Sequence, residues 1–211
     1  KTENSHAKHY HISVNVLYLI NNHVNIYFSN ANLIKISDKF KEINYICEKI
    51  DLSMEKRILK STIGIAKMDE MSADEQRLIS KAIEMTNHSY AKYSHFNVGA
   101  AVMLDDGSII GGCNQENAAF GVTICAERTA LFAAAAQKPE TPVTTIAIAA
   151  RNDQGLLATP VTPCGTCRQA MIETETRYGR PLRILLFGTS CVYVIDGISQ
   201  LMPLSFSDCQ L

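Results

Sequence analysis

Two short stretches of the sequence have residue types and spacing that suit a metal site. The first contains Cys125 and, two residues later, Glu127. The second contains Cys164 and Cys167 in C-x-x-C spacing. Neither stretch offers a fourth protein ligand beside the three sulfurs. Three protein ligands and an open position are typical of a catalytic zinc site, whereas a structural site closes with four.

The residues around both stretches favour helices. The alanine-rich run Leu131–Ala136 is a strong helix former, so we predict a helix at about 125–137 and a second one at Cys164–Tyr178. The free N–H groups and the dipole at a helix N-terminus favour negative charge and lower the pKa of a thiol. The sulfurs are therefore expected at helix starts.

Other elements must position these helices. The sequence Ser72–Glu75 is a capping box that predicts a third helix, and Asp105–Gly107 is typical of a hairpin turn. One face of that helix contains Leu78, Ile79, Ala82, Ile83 and Thr86. Five strands are predicted, at Val98–Leu104, Ser108–Cys113, Thr144–Ala150, Leu182–Phe187 and Val192–Ile195. The order of elements predicts an α/β fold, a three-layer α/β/α sandwich with a mixed five-stranded sheet. The pair Gly111–Gly112 is interpreted as close backbone packing near the site.

The motifs C-A-E-R-T-A and P-C-G-T-C-R-Q, which contain the cysteines above, resemble the cytidine deaminase family in its three-cysteine form. The resemblance runs from about Ser72 to the C-terminus and implies the same α/β/α fold. It implies Zn²⁺ held by Cys125, Cys164 and Cys167. It also implies hydrolytic deamination of cytidine and 2′-deoxycytidine to uridine and 2′-deoxyuridine, with release of ammonia, in pyrimidine salvage.

The resemblance assigns Glu127 as the catalytic acid and base. Zn²⁺ lowers the pKa of a bound water to about 7, and Glu127 would move the proton of that water to the pyrimidine. Arg128 is expected to offset the negative charge of three thiolates from the second coordination shell. The alternatives are a Glu127 that only stabilises the helix dipole and an Arg128 that faces solvent. Arg168 is given a structural role.

Substrate binding is also assigned by resemblance. Asn114 and Glu116 are expected to hydrogen-bond the ribose 3′-hydroxyl, and Phe96 to stack near the base. Because Glu116 would repel a phosphate, the substrate is expected to be a free nucleoside. The remaining substrate-binding residues implied by the family are Gln115, Ala118, Phe120, Ala126 and Phe206.

Family members of this length are usually homotetramers with shared active sites. Ala118 and Phe120 fall in the segment that reaches a neighbouring subunit, and Phe120 stands where the family usually has tyrosine. The segment Leu201–Phe206 resembles the C-terminal L-L-P-x-x-F of the family, whose phenylalanine lines a neighbour's site. Plain C-terminal packing is the alternative for Phe206.

Composition narrows the possible partners. The chain has 211 residues and a net charge of −1, which gives no sign of nucleic-acid or membrane binding. From Met54 onward, 14 Lys and Arg stand against 16 Asp and Glu, and the chain has no tryptophan, which argues against a nucleic-acid-editing deaminase. Seven cysteines without an apolar signal segment indicate a reducing compartment, so a cytoplasmic location is expected.

Residues 1–53 differ in composition from the rest and are interpreted as an extension of unknown role, before a catalytic domain at 54–211. Alternating apolar residues predict a hairpin within 12–28, and a helix is predicted at Ser37–Ile50. The histidines at the start suit either a metal site or a solvated tail; they are His6, His9 and His11. An alternative is that the catalytic protein begins at Met54 and that residues 1–53 are not part of the native enzyme.

Two other functions remain open. A deaminase for a modified nucleoside would keep the cysteines and Glu127 but would not need Asn114 and Glu116. A non-enzymatic zinc module would need a fourth ligand, for which Cys113 is the candidate. The alternative for Cys113 is a small buried apolar residue at a strand end.

Overall fold

Three α-helices and seven β-strands are present in residues 57–207, the part of the chain that the computed structural model describes. The hairpin, the helix and the histidines predicted before Met54, and the proposed domain boundary itself, lie outside these residues. The helices are α1 (Ala73–Met85), α2 (Ala126–Gln137) and α3 (Gly165–Tyr178). The strands are β1 (Gly64–Ala66), β2 (Asn97–Leu104), β3 (Ile109–Cys113), β4 (Val143–Asn152), β5 (Gly155–Leu156), β6 (Arg183–Phe187) and β7 (Val192–Asp196).

The strands form one mixed sheet in the order β1-β7-β6-β4-β2-β3, and β5 pairs with the end of β4. Strands β4 and β6 are parallel, and the other neighbours are antiparallel. The prediction of five strands was therefore wrong in number, although all five predicted strands are present. The two additional strands have three and two residues, which is too short for an alternating pattern to be visible in the sequence.

Helix α1 covers one face of the sheet. Its buried residues Leu78 and Ile79 share an apolar cluster with Ala101, Ala147 and Leu185 of the three central strands. Successive residues of a strand point to opposite faces, so the neighbours of these strand residues face the other way.

Helices α2 and α3 cover the opposite face. Val102, Ile146 and Ile184 are sequence neighbours of the strand residues on the first face and therefore point the other way. They pack with Leu131 of α2 and Met171 of α3. The prediction of a three-layer α/β/α sandwich is confirmed.

Two glycines let helix backbones contact the sheet directly. A Cβ atom at Gly99 would lie 2.1 Å from the carbonyl oxygen of Ala82 in α1, and one at Gly112 would lie 2.4 Å from the backbone nitrogen of Ala130 in α2. The interpretation of close backbone packing is confirmed for Gly112, whereas a Cβ atom at Gly111 would meet the side chain of Met85 at 2.7 Å. The sheet therefore sets the position of α2, which carries part of the predicted site.

In the described residues, no helix combines the length and the apolar character that crossing a membrane requires.

Candidate active site

The three cysteines converge although they come from two separate helices. Cys125 is the N-cap residue of α2, Cys164 is the N-cap of α3, and Cys167 lies in the first turn of α3. The Sγ atom of Cys164 is 3.9 Å from that of Cys125 and 3.5 Å from that of Cys167, and all three sulfurs lie within 4.8 Å of one another. Zn–S bonds of about 2.3 Å at tetrahedral angles place two sulfurs about 3.8 Å apart. The sulfur spacing therefore fits one metal ion.

Hydrogen bonds among the sulfurs shift their pKa values in opposite directions. A hydrogen bond from Cys167 lowers the pKa of Cys125 to about 5, and Arg128 contributes to this shift. The same hydrogen bond, together with burial, raises the pKa of Cys167. Three thiolates at this distance repel one another and need more positive charge than Arg128 supplies. A divalent ion bound to all three sulfurs would supply that charge.

Glu127 lies beside the sulfurs, in the first turn of α2. Only 5% of its surface is exposed, and it lines the same pocket as Cys125 and Cys164. Burial raises the pKa of Glu127 above its ordinary value. A carboxyl group with a raised pKa holds a proton more readily, which suits a group that accepts a proton and passes it on.

The arginines that follow the two cysteine motifs make different contacts. Arg128 Nη2 lies 3.7 Å from the Cys125 sulfur, and this hydrogen bond raises the pKa of Arg128. The Arg128 side chain therefore lies against the sulfur of Cys125. Arg168 instead donates to the backbone carbonyls of Pro163 at 2.9 Å and Leu201 at 2.7 Å, so its predicted structural role is confirmed.

A pocket of about 310 Å³ opens onto Glu127 and two of the sulfurs. Three of the residues expected to bind substrate, Phe96, Asn114 and Glu116, line its walls. The structure thus places the residues predicted to carry out the reaction and three of those predicted to bind substrate in one cavity.

Sequence reasoning missed several residues of the same pocket. They are Ser94, Val98, Thr123, Ile124, Ile148, Val161 and Thr162. Their nearness in sequence to Phe96, Cys125 or Cys164 was the available signal for all of them except Ile148. Ile148 lies on the central strand β4, and only the folded sheet brings it to the pocket.

Backbone contacts orient the polar wall of the pocket. The Asn114 side chain accepts from Val98 N at 2.8 Å and donates to the Phe96 carbonyl at 3.0 Å. Glu116 accepts hydrogen bonds from Ser94 Oγ, from Tyr93 N at 2.7 Å and from Ser94 N at 3.3 Å. The bond from the Ser94 hydroxyl, followed by that from Tyr93 N, lowers the pKa of Glu116. Glu116 is therefore an ionised acceptor near neutral pH.

The other five residues expected to bind substrate lie elsewhere in the described part of the chain. Gln115 donates to the Cys113 sulfur at 3.2 Å, and Ala126 is buried at the start of α2. Ala118 is exposed, as are Phe120 (76%) and Phe206 (59%). None of the five lines the pocket that contains Glu127.

Cys113 does not belong to the sulfur cluster. The group of described residues that can hold a metal contains Cys125, Cys164 and Cys167 only. The thiol of Cys113 is buried at the end of β3 and accepts from Gln115. This placement argues against a closed structural zinc site with Cys113 as its fourth ligand.

Known proteins with similar sequences and structures fall in one family. The family model described as the zinc-binding region of cytidine and deoxycytidylate deaminases matches residues 72–178. The cytidine deaminase of Halalkalibacterium halodurans is 48% identical over 100 residues, which are 47% of this chain and 71% of that protein. That of Mycobacterium tuberculosis is 35% identical over 113 residues, 52% of this chain and 80% of that protein.

A solved structure gives the same result. The cytidine deaminase from Burkholderia pseudomallei superposes with a TM-score of 0.55 at 37% sequence identity, over 64% of this chain and 100% of that chain. The range matched by the family model contains all three clustered cysteines, and their sulfur chemistry and spacing fit Zn²⁺ as the cofactor. The chain belongs to the cytidine and deoxycytidylate deaminase family.

Proposed function

We propose that this protein deaminates cytidine and 2′-deoxycytidine to uridine and 2′-deoxyuridine, consuming water and releasing ammonia. The observation that carries the proposal is the shared pocket. Glu127 and the sulfur cluster lie at one part of its wall, and Asn114 and Glu116 lie at another. A reacting group and a sugar-recognition group in one cavity fit a nucleoside.

In the proposed mechanism, Cys125, Cys164 and Cys167 hold Zn²⁺. Bound there, Zn²⁺ supplies a water that is nucleophilic at neutral pH. Glu127 accepts a proton from the attacking water and delivers it to the pyrimidine N3. The water oxygen bonds to C4, and Glu127 then carries the second proton of that oxygen to the exocyclic nitrogen. The C4–N bond breaks, ammonia leaves and C4 becomes the carbonyl carbon of uridine. The burial and raised pKa of Glu127 support this role, because the side chain must hold a proton between the two transfers.

Arg128 is proposed to balance part of the thiolate charge, since it lies against Cys125. Phe96 is proposed to stack near the base. The ionised Glu116 accepts from a sugar hydroxyl and repels a phosphate at the same place, so the proposed substrate is the free nucleoside rather than a nucleotide or a strand.

The proposed catalytic domain is 54–211, in which the described residues contain every proposed site residue. The proposed assembly is a homotetramer with shared active sites, acting in the cytoplasm in pyrimidine salvage. The exposure of Phe120 and Phe206, together with that of Phe132 (53%) on α2, supports the assembly, because large exposed apolar side chains mark contact surfaces. Gln115, Ala118 and Ala126 remain proposed contacts to substrate or neighbour. Light scattering that finds an active monomer would contradict the tetramer.

The proposed activity is tested by an absorbance assay on cytidine and 2′-deoxycytidine, with cytosine and CMP as controls. We expect turnover of both nucleosides and little of either control, because cytosine lacks the sugar and CMP brings a phosphate to a pocket with an ionised carboxylate. A folded, zinc-loaded sample that leaves both nucleosides unchanged would refute the proposal.

A further inference from the structure

The turn Tyr93–Phe96 at the rim of the pocket has an unusual backbone. His95 has a φ of 56°, and among the described residues it is the one residue other than glycine with a positive φ. This left-handed region is unfavourable for a residue with a Cβ atom. The turn therefore has to be held by contacts with its surroundings.

Besides a backbone hydrogen bond from His95 N to the Ala91 carbonyl at 3.0 Å, one side-chain hydroxyl makes contacts across this turn. Ser94 Oγ donates to Glu116 Oε1 and accepts from Phe96 N at 3.1 Å. The backbone N–H groups of Tyr93 and Ser94 occupy the other oxygen of Glu116, Oε2. Ser94 thus connects two residues that line the pocket, one proposed to contact the sugar and one proposed to contact the base.

These contacts leave few hydrogen-bond acceptor positions free on the Glu116 carboxylate. A carboxylate has about four acceptor positions, and three of those on Glu116 are filled by Tyr93 N, Ser94 N and Ser94 Oγ. The position left lies on Oε1, the oxygen that Ser94 orients. Asn114 is similarly held through Val98 and Phe96, which leaves one amide N–H for a ligand. A single sugar hydroxyl can therefore donate to the Glu116 carboxylate and accept from the Asn114 amide.

We infer that Ser94 is a positioning residue for sugar recognition: its hydroxyl orients the Glu116 carboxylate, so that the pocket selects a nucleoside carrying the matching hydroxyl. The inference rests on the proposed function. Ser94 acts through Glu116 and takes no part in the chemistry at Glu127.

The test compares Ser94→Ala with the wild type on cytidine and on 3′-deoxycytidine, which lacks the sugar hydroxyl assigned to Glu116. We expect the KM for cytidine to rise about tenfold, the effect of losing one hydrogen bond to a charged group, with kcat changed less than about threefold. With 3′-deoxycytidine, the wild type should already bind weakly, and Ser94→Ala should change its KM less than about twofold. Ser94→Thr keeps the hydroxyl and should restore most of the cytidine KM.

A double variant separates side-chain positioning from turn stability. Glycine favours a positive φ, so Ser94→Ala combined with His95→Gly removes the hydroxyl but relieves the backbone. If Ser94 acts by orienting Glu116, the double variant keeps the raised KM. Should Ser94→Ala fail to fold, this relieved variant carries the measurement. Ser80→Ala, whose hydroxyl bonds only within α1, is the matched control and should leave both KM values unchanged.

Calorimetric titration with uridine and 3′-deoxyuridine provides a readout that needs no turnover. Ser94→Ala should weaken the binding of uridine about tenfold and leave that of 3′-deoxyuridine nearly unchanged. Equal losses on both sugars, or recovery of the cytidine KM in the double variant, would overturn the role of Ser94. A wild type inactive on cytidine would instead refute the proposed function itself.

Discussion

An apolar cluster of helix and strand residues covers each face of the sheet, but the helices on the two faces differ in their N-terminal caps. Helix α1 begins with a capping box, in which Ser72 Oγ accepts from Glu75 N at 3.3 Å and the Glu75 carboxylate accepts from Ser72 N at 3.0 Å. The N-cap residues of α2 and α3 are Cys125 and Cys164, whose side chains make no capping hydrogen bond.

This difference separates stability from chemistry. A side chain that caps a helix stabilises it by about 1 kcal/mol, and α1 has that stabilisation. At α2 and α3 the cap positions hold thiols instead, and Glu127 follows in the first turn of α2. The first turns of these two helices are therefore organised around the proposed metal and substrate, while α1 is organised around the fold. Five substitutions, two of which form a matched pair, test whether the two faces are in fact separable.

The largest effect is expected from removing a sulfur. In Cys167→Ala, zinc content should fall from about one ion per chain to nearly none and deamination should fall to background, because two protein ligands hold Zn²⁺ far more weakly than three. Metal analysis and the absorbance assay measure both. Cys113→Ser is the matched control, which should keep its zinc and its activity. Loss of zinc from that control would indicate a four-ligand structural site.

Glu127→Gln should give the next largest effect. The variant keeps the shape of the side chain but cannot transfer a proton, so kcat should fall by about 10²–10⁴, the usual contribution of a positioned acid or base. Its zinc content should stay that of the wild type, since Glu127 is proposed not to be a ligand. Wild-type turnover in this variant would remove the assigned role.

A glycine pair compares the faces directly. Gly112→Ala and Gly99→Ala both force a Cβ atom into helix backbone, and each should lower the free energy of unfolding by about 1–3 kcal/mol. Only Gly112→Ala should also lower kcat/KM per folded molecule, because it displaces α2, which follows Cys125 and carries Glu127. Urea denaturation and kinetics at saturating zinc measure the two effects.

Gly165→Ala is the control for the unfolding measurements of that pair, because a Cβ atom there meets nothing within 4 Å. Equal losses of kcat/KM in Gly112→Ala and Gly99→Ala would show that the faces are not separable.

The smallest effect is expected for Ser72→Ala, which should lower the free energy of unfolding by about 1 kcal/mol and leave activity unchanged. Burial opposes ionisation of Glu75, but hydrogen bonds from Ser72 and Arg183 outweigh it and hold the pKa of Glu75 below its ordinary value. This carboxylate therefore stabilises the fold above about pH 4.5, and the contribution is lost as the pH falls through the lowered pKa.

Urea denaturation of both proteins between about pH 7 and pH 3 checks this sign. The wild type should lose more stability than Ser72→Ala on acidification, so the gap between them should narrow. A gap that widens at low pH would contradict the assignment of Glu75 to the cap.

Most elements of the fold could be predicted because their signals are local. The capping box at Ser72 marks the start of α1, and short apolar runs bounded by turn residues mark the five longer strands. The short strands β1 and β5 could not be predicted, since their pairing depends on the edge of β7 and the end of β4 rather than on their own residues.

Some residues of the site could likewise be predicted from the sequence, and others could not. The spacing of Cys164 and Cys167 was sufficient to predict metal ligands on one helix turn. The role inferred for Ser94 was not predictable, because a serine has no signature of its own and its contact with Glu116 spans 22 residues. Nor could the sequence show that Gln115 turns towards Cys113 rather than into the pocket.

The sequence by itself determined the inventory of this protein: three sulfurs, one carboxylate beside them and the helices that begin there. It did so because ligand type, cap position and helix propensity are properties of neighbouring residues. Only the tertiary structure decided that Cys125 meets Cys164, 39 residues away, and that Glu116 and Asn114 share a cavity with Glu127. These contacts follow from the packing of α2 and α3 on one face of a twisted sheet, and such long-range geometry depends on the whole core.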